Sequence, residues 1–189
     1  MKIHIIGCSG SGKTYLANAL SKKYNISHFD LDDIQWDNNA HTIVITVIAC
    51  YCLDDIQWDN NAKEYGKKRT LGERKALLQE ILYNNDEWII EGVYYAWVQQ
   101  SFDEADKIYV LDMPGYLYKS RIIMRSIKRK LGIQKGKRET LKSVYNLLKW
   151  TETFLNKNLK EIRSILDRYD DKVIWLSRKK DVEKIIKAV

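Results

Sequence analysis

The sequence has few of the residues that mark secreted, metal-dependent or membrane-spanning proteins. Its three cysteines are an odd number, and none is spaced with a histidine in the way zinc ligands are. No apolar run approaches the ~20 residues that a membrane-spanning helix needs, and the most apolar stretch, residues 42–52, is β-branched and predicts a strand. The first residues lack the apolar core of a signal peptide. We therefore expect a cytoplasmic protein with reduced cysteines and no membrane contact.

Excess charge is also absent from most of the chain, although the net charge is +7. Ten basic residues and one acid fall within residues 119–142, a surplus of +9, so the rest of the chain carries 7 − 9 = −2. A nucleic-acid-binding surface usually spreads its charge more widely, and the sequence contains no helix-turn-helix, zinc-finger or RNA-binding signature. Any DNA binding is expected to be weak, electrostatic and independent of base sequence.

Short apolar segments alternate with helical patterns along the 189 residues. Strands are predicted at residues 2–6, 26–29, 87–91, 107–112 and 173–176. Helices are predicted at residues 15–23, after a capping box of Thr70 and Glu73, from Pro114 (the only proline) to Leu131, along residues 141–169 and at residues 181–189. This alternation predicts a single α/β domain, residues 1–189, with a parallel sheet covered on both faces.

One stretch of ten residues occurs twice. Residues 31–40 recur letter for letter at 53–62, an offset of 22 residues. Two copies are too few for a solenoid, so we interpret residues 31–62 as a local duplication or a cloning scar. The second strand then has two candidates, residues 26–29 leading to Asp32 and residues 43–51 leading to Asp54. We expect the first, with residues 41–52 packing as an extra edge strand or hairpin arm.

The strongest motif lies between the first strand and the first helix, where residues 7–14 match G-x-x-x-x-G-K-[ST]. Glycines in such a loop let backbone N–H groups approach phosphate oxygens at a helix N-terminus. Lys13 is expected to reach the β- and γ-phosphates, and the Thr14 hydroxyl to bind Mg²⁺. The sequence therefore predicts an ATP site formed by Gly7, Ser9, Gly10, Ser11, Gly12, Lys13, Thr14 and Tyr15, in which Cys8 acts through its backbone.

Arginines mark the helix that follows the fourth strand. Arg121, Arg125 and Arg129 stand four residues apart and share one helix face. Arginines that close over a γ-phosphate stabilise the charge that spreads over it during transfer. We expect residues 119–142 to form a basic lid; the alternative is a solvated basic face.

Acids follow the strands at the edge where open α/β sheets bind ligands. Asp32, or its copy Asp54, could orient an acceptor hydroxyl or a Mg²⁺-bound water, whereas Asp33 also fits a solvated turn. Either Glu91 or Asp112 could hold Mg²⁺ through water. Tryptophans are more often core residues than substrate platforms, and we expect a core position for Trp36, Trp88 and Trp97.

The P-loop, the segment LDDIQW at residues 31–36, the segment WIIEGVY at residues 88–94 and the arginine helix resemble the bacterial DNA topology modulation proteins. The resemblance covers nearly the whole chain apart from the repeat. This adenylate-kinase-like P-loop family implies a five-stranded parallel sheet of order 2-3-1-4-5, a substrate site over strands two and three, and an arginine lid. By analogy with nucleotide kinases, the residues near adenine would be Ser177, Arg178 and Lys180. Adenylate kinases carry D-G-F-P-R after strand three; this chain has E-G-V-Y, so the arginine that binds an acceptor nucleotide is missing there.

These features predict an ATP-dependent kinase that transfers the γ-phosphate to a small-molecule or nucleotide acceptor. The predicted catalytic residues are Lys13, Arg121, Arg125 and Asp32, with Thr14 as the metal ligand and Arg178 as part of the ATP site. The alternatives are a nucleic-acid-associated ATPase that affects DNA topology and a nucleotide-binding protein without turnover.

Overall fold

The computed structural model describes residues 1–37, 67–133 and 140–188. The strands are β1 (Lys2–Gly7), β2 (His28–Asp30), β3 (Trp36–Asp37), β4 (Lys67–Lys68), β5 (Trp88–Gly92), β6 (Lys107–Leu111) and β7 (Val173–Leu176). The helices are α1 (Lys13–Tyr24), α2 (Leu31–Gln35), α3 (Leu71–Asn84), α4 (Gln99–Glu104), α5 (Gly115–Lys130), α6 (Leu141–Thr153), α7 (Leu159–Leu166) and α8 (Lys179–Lys187). A π-helical turn (Phe154–Asn158) joins α6 to α7, and a 3₁₀ turn (Asp167–Tyr169) follows α7.

Five parallel strands form the central sheet in the order β2-β5-β1-β6-β7. Counted along the chain, these strands have the predicted order 2-3-1-4-5. Strand β1 lies in the middle, where Ile5 pairs with Glu91 of β5 on one side and with Tyr109 of β6 on the other. Both β1 and β5 are buried along nearly their whole length, as expected for parallel strands with helices on both faces. The carboxyl ends of β1, β2 and β5 therefore meet at one edge of the sheet.

The second strand of the sheet, β2, ends directly before the first copy of the repeat. Strand β2 pairs with β5, and Asp30 lies opposite Glu91. It begins two residues later than the predicted segment 26–29. The rival strand at residues 43–51, the predicted arm at residues 41–52 and Asp54 lie outside the described residues. Strand β3 precedes that region and β4 follows it, and the two form a short antiparallel pair in which Asp37 lies opposite Lys67.

Several predicted helix boundaries need correction. The segment 141–169 was expected to be one amphipathic helix, but the π-helical turn Phe154–Asn158 interrupts it. The last helix was expected to begin at Asp181 and begins at Lys179, because the Asp181 carboxylate accepts a hydrogen bond from the N–H of Arg178 and so caps the helix from its third position. The capping box of Thr70 and Glu73 at the start of α3 is confirmed.

Close packing joins α2 to the end of β5. A Cβ atom on Gly92 would lie 2.7 Å from Cδ1 of Leu31, so this position accepts only glycine without a shift of α2. The core positions predicted for Trp88 and Trp97 are confirmed, with 0% and 6% exposure. The side chain of Trp36 lies outside the described part of the chain. No helix among the described residues is long and apolar enough to cross a membrane.

Candidate active site

The loop between β1 and α1 turns at two glycines. Gly10 and Gly12 have φ angles of 78° and 101°, left-handed values that glycine adopts without steric cost. The Ser11 N–H donates to the Cys8 carbonyl oxygen at 3.1 Å and closes the turn. The first N–H groups of a helix have no carbonyl partner within that helix. A loop that turns at two glycines directly before a helix N-terminus is an arrangement in which proteins bind anions.

Lys13 is the first residue of α1, and its side chain lies against the loop. Its Nζ donates to the Cys8 carbonyl oxygen at 3.4 Å and lies 3.8 Å from Oε2 of Glu91. The Lys13 side chain is 11% exposed and that of Glu91 is 1% exposed. The ammonium group is thus held where β1 and β5 end, next to the predicted phosphate position.

A buried acid and its neighbours complete this edge of the sheet. Nε2 of His28 lies 3.6 Å from Oε1 of Glu91. Burial favours the neutral form of Glu91, but the nearby His28, Lys13 and Thr14 outweigh it and hold the pKa of Glu91 below its usual range. Burial and the charges of Glu91, Asp32 and Asp33 instead raise the pKa of Asp30 well above its usual range. Two adjacent acids with opposite shifts are a frequent property of catalytic sites.

Asp32 lies at the start of α2, directly beyond β2, and its side chain is exposed. Its Oδ1 accepts a hydrogen bond of 2.6 Å from the hydroxyl of Tyr94, which follows β5. The main chain is fixed as well, because the N–H of Asp32 donates to Oδ1 of Asp30 at 2.9 Å. The structure thus places Asp32 at the carboxyl edge of the sheet, facing solvent and held from two strands.

The two strand-end acids proposed for Mg²⁺ have different surroundings. Glu91 contacts Lys13, whereas Asp112, beyond β6, accepts a hydrogen bond of 3.2 Å from Nη2 of Arg163. Burial raises the pKa of Asp112, and Arg163 opposes that rise. Within the described ranges, no group of three or more histidine, cysteine, aspartate or glutamate side chains could hold a metal ion. A Mg²⁺ ion at this edge would therefore depend on phosphate oxygens as well as on Thr14 and Glu91, a common arrangement for Mg²⁺.

Helix α5 carries the predicted lid arginines, and its first half packs against the loop. Nη1 of Arg121 donates to the carbonyl oxygens of Gly10 and Ser11, at 3.0 and 2.7 Å. Arg125 and Arg129 are partly buried on the same helix, one and two turns further on. Residues 134–139 of the predicted lid lie outside the described chain.

A cleft of about 420 Å³ opens beside the loop. Its lining combines the loop, α1, α5 and α8: Ser11, Gly12, Tyr15, Met113, Arg121, Lys179, Val182 and Glu183. The α8 residues in this lining differ from the predicted adenine contacts Ser177, Arg178 and Lys180. The Arg178 guanidinium binds Asp181, with Nη2 2.9 Å from Oδ1, and its side chain is 74% exposed. Lys179 and Glu183 form an ion pair of 3.4 Å on the cleft side.

Cys8 behaves as expected for a loop residue that acts through its backbone. Its side chain is fully buried, and burial raises the pKa of its thiol to about 11, against smaller opposing effects of Thr151 and Lys13. The thiol therefore stays protonated and unreactive at neutral pH. The Cys8 carbonyl, in contrast, accepts from both Ser11 and Lys13.

Sequence reasoning missed four residues of this site. His28 and Tyr94 contact the acids Glu91 and Asp32 across the sheet edge, and Lys179 and Glu183 line the cleft. His28 begins β2 two positions before Asp30, so both side chains lie on one face of the strand, and this spacing was the only local signal for any of the four. The other three residues come close to the site only when the chain folds and the strands form the sheet.

Comparisons with known proteins agree with this architecture. No family model matches the chain. The uncharacterized protein YqaC of Bacillus subtilis (strain 168) is 28% identical over 127 residues, which are 67% of this chain and 57% of that protein. The chain thus matches little more than half the length of this curated relative.

Two solved structures support the fold. A shikimate kinase from Acinetobacter baumannii, in complex with shikimate, aligns with a TM-score of 0.51 at 14% identity, over 98% of this chain and 88% of that one. A shikimate kinase from Bacteroides thetaiotaomicron aligns with a TM-score of 0.50 at 14% identity, over 99% of this chain and 94% of that one. The chain therefore has the fold of these two structures, a five-stranded parallel sheet of order 2-3-1-4-5 covered by helices. Identities this low are evidence for the fold and say nothing of the substrate.

Proposed function

We propose that this chain is an ATP-dependent phosphotransferase that moves the γ-phosphoryl group to a hydroxyl or phosphate group of a small-molecule or nucleotide acceptor. The observation that carries the proposal is the position of Lys13, between the loop carbonyl of Cys8 and the buried carboxylate of Glu91, at the edge where Asp32 is exposed. A phosphate-binding loop, a cation and an exposed carboxylate at one sheet edge are the parts that phosphoryl transfer requires.

The geometry of the loop supports a nucleoside triphosphate as the ligand. The left-handed φ angles of Gly10 and Gly12 let the loop turn into α1, whose first N–H groups could bind phosphate oxygens, and the cleft lined by Tyr15 and Met113 adjoins the loop at Gly12. ATP would supply the transferable phosphoryl group and Mg²⁺ would neutralise its charge. Thr14 and Glu91 would hold the ion, and Lys13 would bind the phosphates.

Asp32 is the group best placed to act on a hydroxyl acceptor. Its carboxylate is exposed and oriented by the Tyr94 hydroxyl, so it can accept a proton. In such a reaction the acceptor oxygen would form a bond to the γ-phosphorus as the bond between that phosphorus and the β,γ-bridging oxygen breaks, ADP would leave, and the hydroxyl proton would move to Asp32. General-base help of this kind contributes about 10²–10⁴-fold in rate. An acceptor phosphate would not need this proton transfer.

Arg125 is proposed to stabilise the transferring phosphoryl group from α5. It lies one turn beyond Arg121, whose guanidinium is already bound to the loop carbonyls. The predicted lid at residues 119–142 would bring Arg125 over the γ-phosphate when the site closes. The resemblance to the DNA topology modulation family is consistent with this assignment and leaves the acceptor open.

The test is an ATP-consumption screen over nucleosides, nucleotides and sugars, with and without DNA. We expect one acceptor class to stimulate ADP release from the parent chain, and Lys13→Ala to abolish that release. Lys22→Ala, on the exposed face of the same helix, is the matched control and should retain the parent rate. Turnover by Lys13→Ala at the parent rate would contradict the proposal. Stimulation by DNA alone would favour the nucleic-acid-associated ATPase instead.

A further inference from the structure

Arg121 touches the loop in a way that a lid arginine does not require. A single nitrogen, Nη1, lies 3.0 Å from the carbonyl oxygen of Gly10 and 2.7 Å from that of Ser11. A Cβ atom on Gly12 would lie 3.5 Å from the same nitrogen. The guanidinium therefore sits against three consecutive residues of the loop.

The direction of these bonds determines where the loop's donors point. In a trans peptide the C=O and N–H groups point in opposite directions. Binding of the Ser11 carbonyl by Arg121 therefore turns the Gly12 N–H away from the guanidinium. The preceding donor, the Ser11 N–H, is already bound to the Cys8 carbonyl. The Gly12 N–H is thus the next donor that can face an anion, and Arg121 fixes its peptide.

Helix α5 is in turn held firmly against the loop. The Tyr118 hydroxyl accepts from the Met113 N–H at 2.6 Å and donates to the Leu111 carbonyl at 3.0 Å, which ties α5 to the end of β6. A Cβ atom on Gly10 would lie 3.0 Å from the Tyr118 carbonyl oxygen, so helix and loop are in close contact one turn before Arg121. The charge on Arg121 also offsets the negative ends of the two carbonyls beside a phosphate site.

We propose that Arg121 is a positioning residue of the phosphate-binding loop: it binds the Gly10 and Ser11 carbonyls and so fixes the Gly12 N–H for an inorganic or nucleotide phosphate. This inference rests on the proposed function, because it assumes that the loop binds phosphates. It differs from the lid role predicted from sequence, in which Arg121 acts on the γ-phosphoryl group only during transfer. The two roles have opposite kinetic signatures.

The experiment compares the parent chain with Arg121→Gln and Arg121→Lys, and uses Lys128→Gln as the matched control on the exposed face of α5. Protein labelled with ¹⁵N-glycine has nine glycines, so the Gly10 and Gly12 signals can be followed without any ligand. We expect both signals to shift or broaden in Arg121→Gln and to stay in place in Lys128→Gln. Arg121→Lys should retain much of the parent spectrum, because an ammonium group can also donate to two carbonyls.

The second measurement is calorimetry of pyrophosphate binding and of adenosine binding. We expect Arg121→Gln to bind pyrophosphate about tenfold more weakly, equivalent to about 1.4 kcal/mol, and to bind adenosine as the parent does. KM for ATP should rise more than kcat falls. Unchanged glycine signals or unchanged pyrophosphate binding in Arg121→Gln would overturn the inference.

A selective loss of adenosine binding in Arg121→Gln would also overturn the inference, since it would assign Arg121 to the base. Absence of pyrophosphate binding by the parent would contradict the proposed function. The ligand-free glycine spectra would still decide whether Arg121 positions the loop. If Arg121→Gln does not fold, Arg121→Lys provides the same comparison with a smaller expected shift.

Discussion

Tyr94 and Asp32 lie 62 positions apart in the chain and are joined by a hydrogen bond of 2.6 Å. Tyr94 follows β5 and Asp32 follows β2, so the bond links the ends of two neighbouring strands. The tyrosine donates its hydroxyl hydrogen, which leaves Asp32 free to accept at its second oxygen. This pair is the part of the site from which the clearest kinetic prediction follows.

We expect Asp32→Asn to lower kcat by about 10²–10⁴-fold for a hydroxyl acceptor, because the amide cannot accept the proton. Tyr94→Phe should cause a smaller loss, since it removes the orienting bond and keeps the carboxylate that accepts the proton. Asp33→Asn, at the next position of α2, is the matched control and should stay within a few fold of the parent. Steady-state kinetics with the acceptor from the screen would measure all three. A larger loss in Asp54→Asn than in Asp32→Asn would assign the role to the second copy.

Asp30 leads to a prediction about pH and stability. Its pKa is raised in the folded protein by burial and by Glu91, Asp32 and Asp33, whereas the unfolded chain titrates near the ordinary value. Between these two values the folded state holds more protons than the unfolded state, so stability falls as pH rises. Asp30→Asn keeps an oxygen that can accept from the Asp32 N–H. We expect it to raise Tm at pH 7.5 and to change Tm little at pH 4.

The control for this experiment is Asp86→Asn, since Asp86 is exposed between α3 and β5. Its Tm should follow that of the parent at both pH values. Thermal scans from pH 4 to 8 would measure the difference. An Asp30→Asn protein that is less stable than the parent at pH 7.5 would show that the ionised carboxylate stabilises the fold.

Two glycines allow a matched test of packing. Gly92→Ala should destabilise the protein by about 1–3 kcal/mol, because the added methyl group would collide with Leu31 and displace α2. Gly72 is at an exposed position of α3, where an added Cβ would have no neighbouring atom within 4 Å outside the helix backbone, so Gly72→Ala should be neutral or stabilise by up to about 1 kcal/mol. Urea unfolding would give both values. Equal effects of the two substitutions would contradict the close contact of Leu31 with β5.

The repeat gives a prediction about chain length. Deleting residues 31–52 or 41–62 leaves the same chain of 189 − 22 = 167 residues. We expect this shorter chain to fold at least as stably as the parent and to keep its activity, because β2 is untouched by the deletion and one copy of the repeat still follows it. Unfolding curves and the ATP assay would test it. Failure of the shorter chain to fold would mean that the duplicated segment is a required part of the structure.

Much of the fold could be predicted because its signals are local. The P-loop lies between a strand and a helix that are adjacent in sequence, and short apolar strands alternating with helices define a parallel sheet. The interruption of the helix pattern at Phe154–Asn158 could not be predicted, since the apolar spacing continues across the π-helical turn. Propensity and periodicity do not distinguish an α-helical turn from a π-helical one.

The sequence predicted the position of a site residue only where that residue belongs to one contiguous motif. Lys13 belongs to a contiguous motif, so its place beside the loop followed from the sequence. The partners of Glu91 and Asp32 depend on strand order and on side-chain direction at the sheet edge. Analogy with nucleotide kinases assigned Arg178 to the ATP site. In the structure its guanidinium instead binds Asp181, three residues along the chain.

The short pair formed by β3 and β4 has a consequence for how this protein can change. Asp37 and Lys67 lie opposite each other, so the two ends of the segment between them are adjacent, and that segment has 67 − 37 − 1 = 29 residues. Removing 22 of these residues leaves seven, and loop closure would then cost about 1.2 kcal/mol less, at about 0.6 kcal/mol per doubling of length. Inserting or deleting residues at this point therefore changes the free energy of folding by only a small fraction of its typical value. The same junction is a natural place to insert a reporter domain or an affinity handle without rebuilding the sheet.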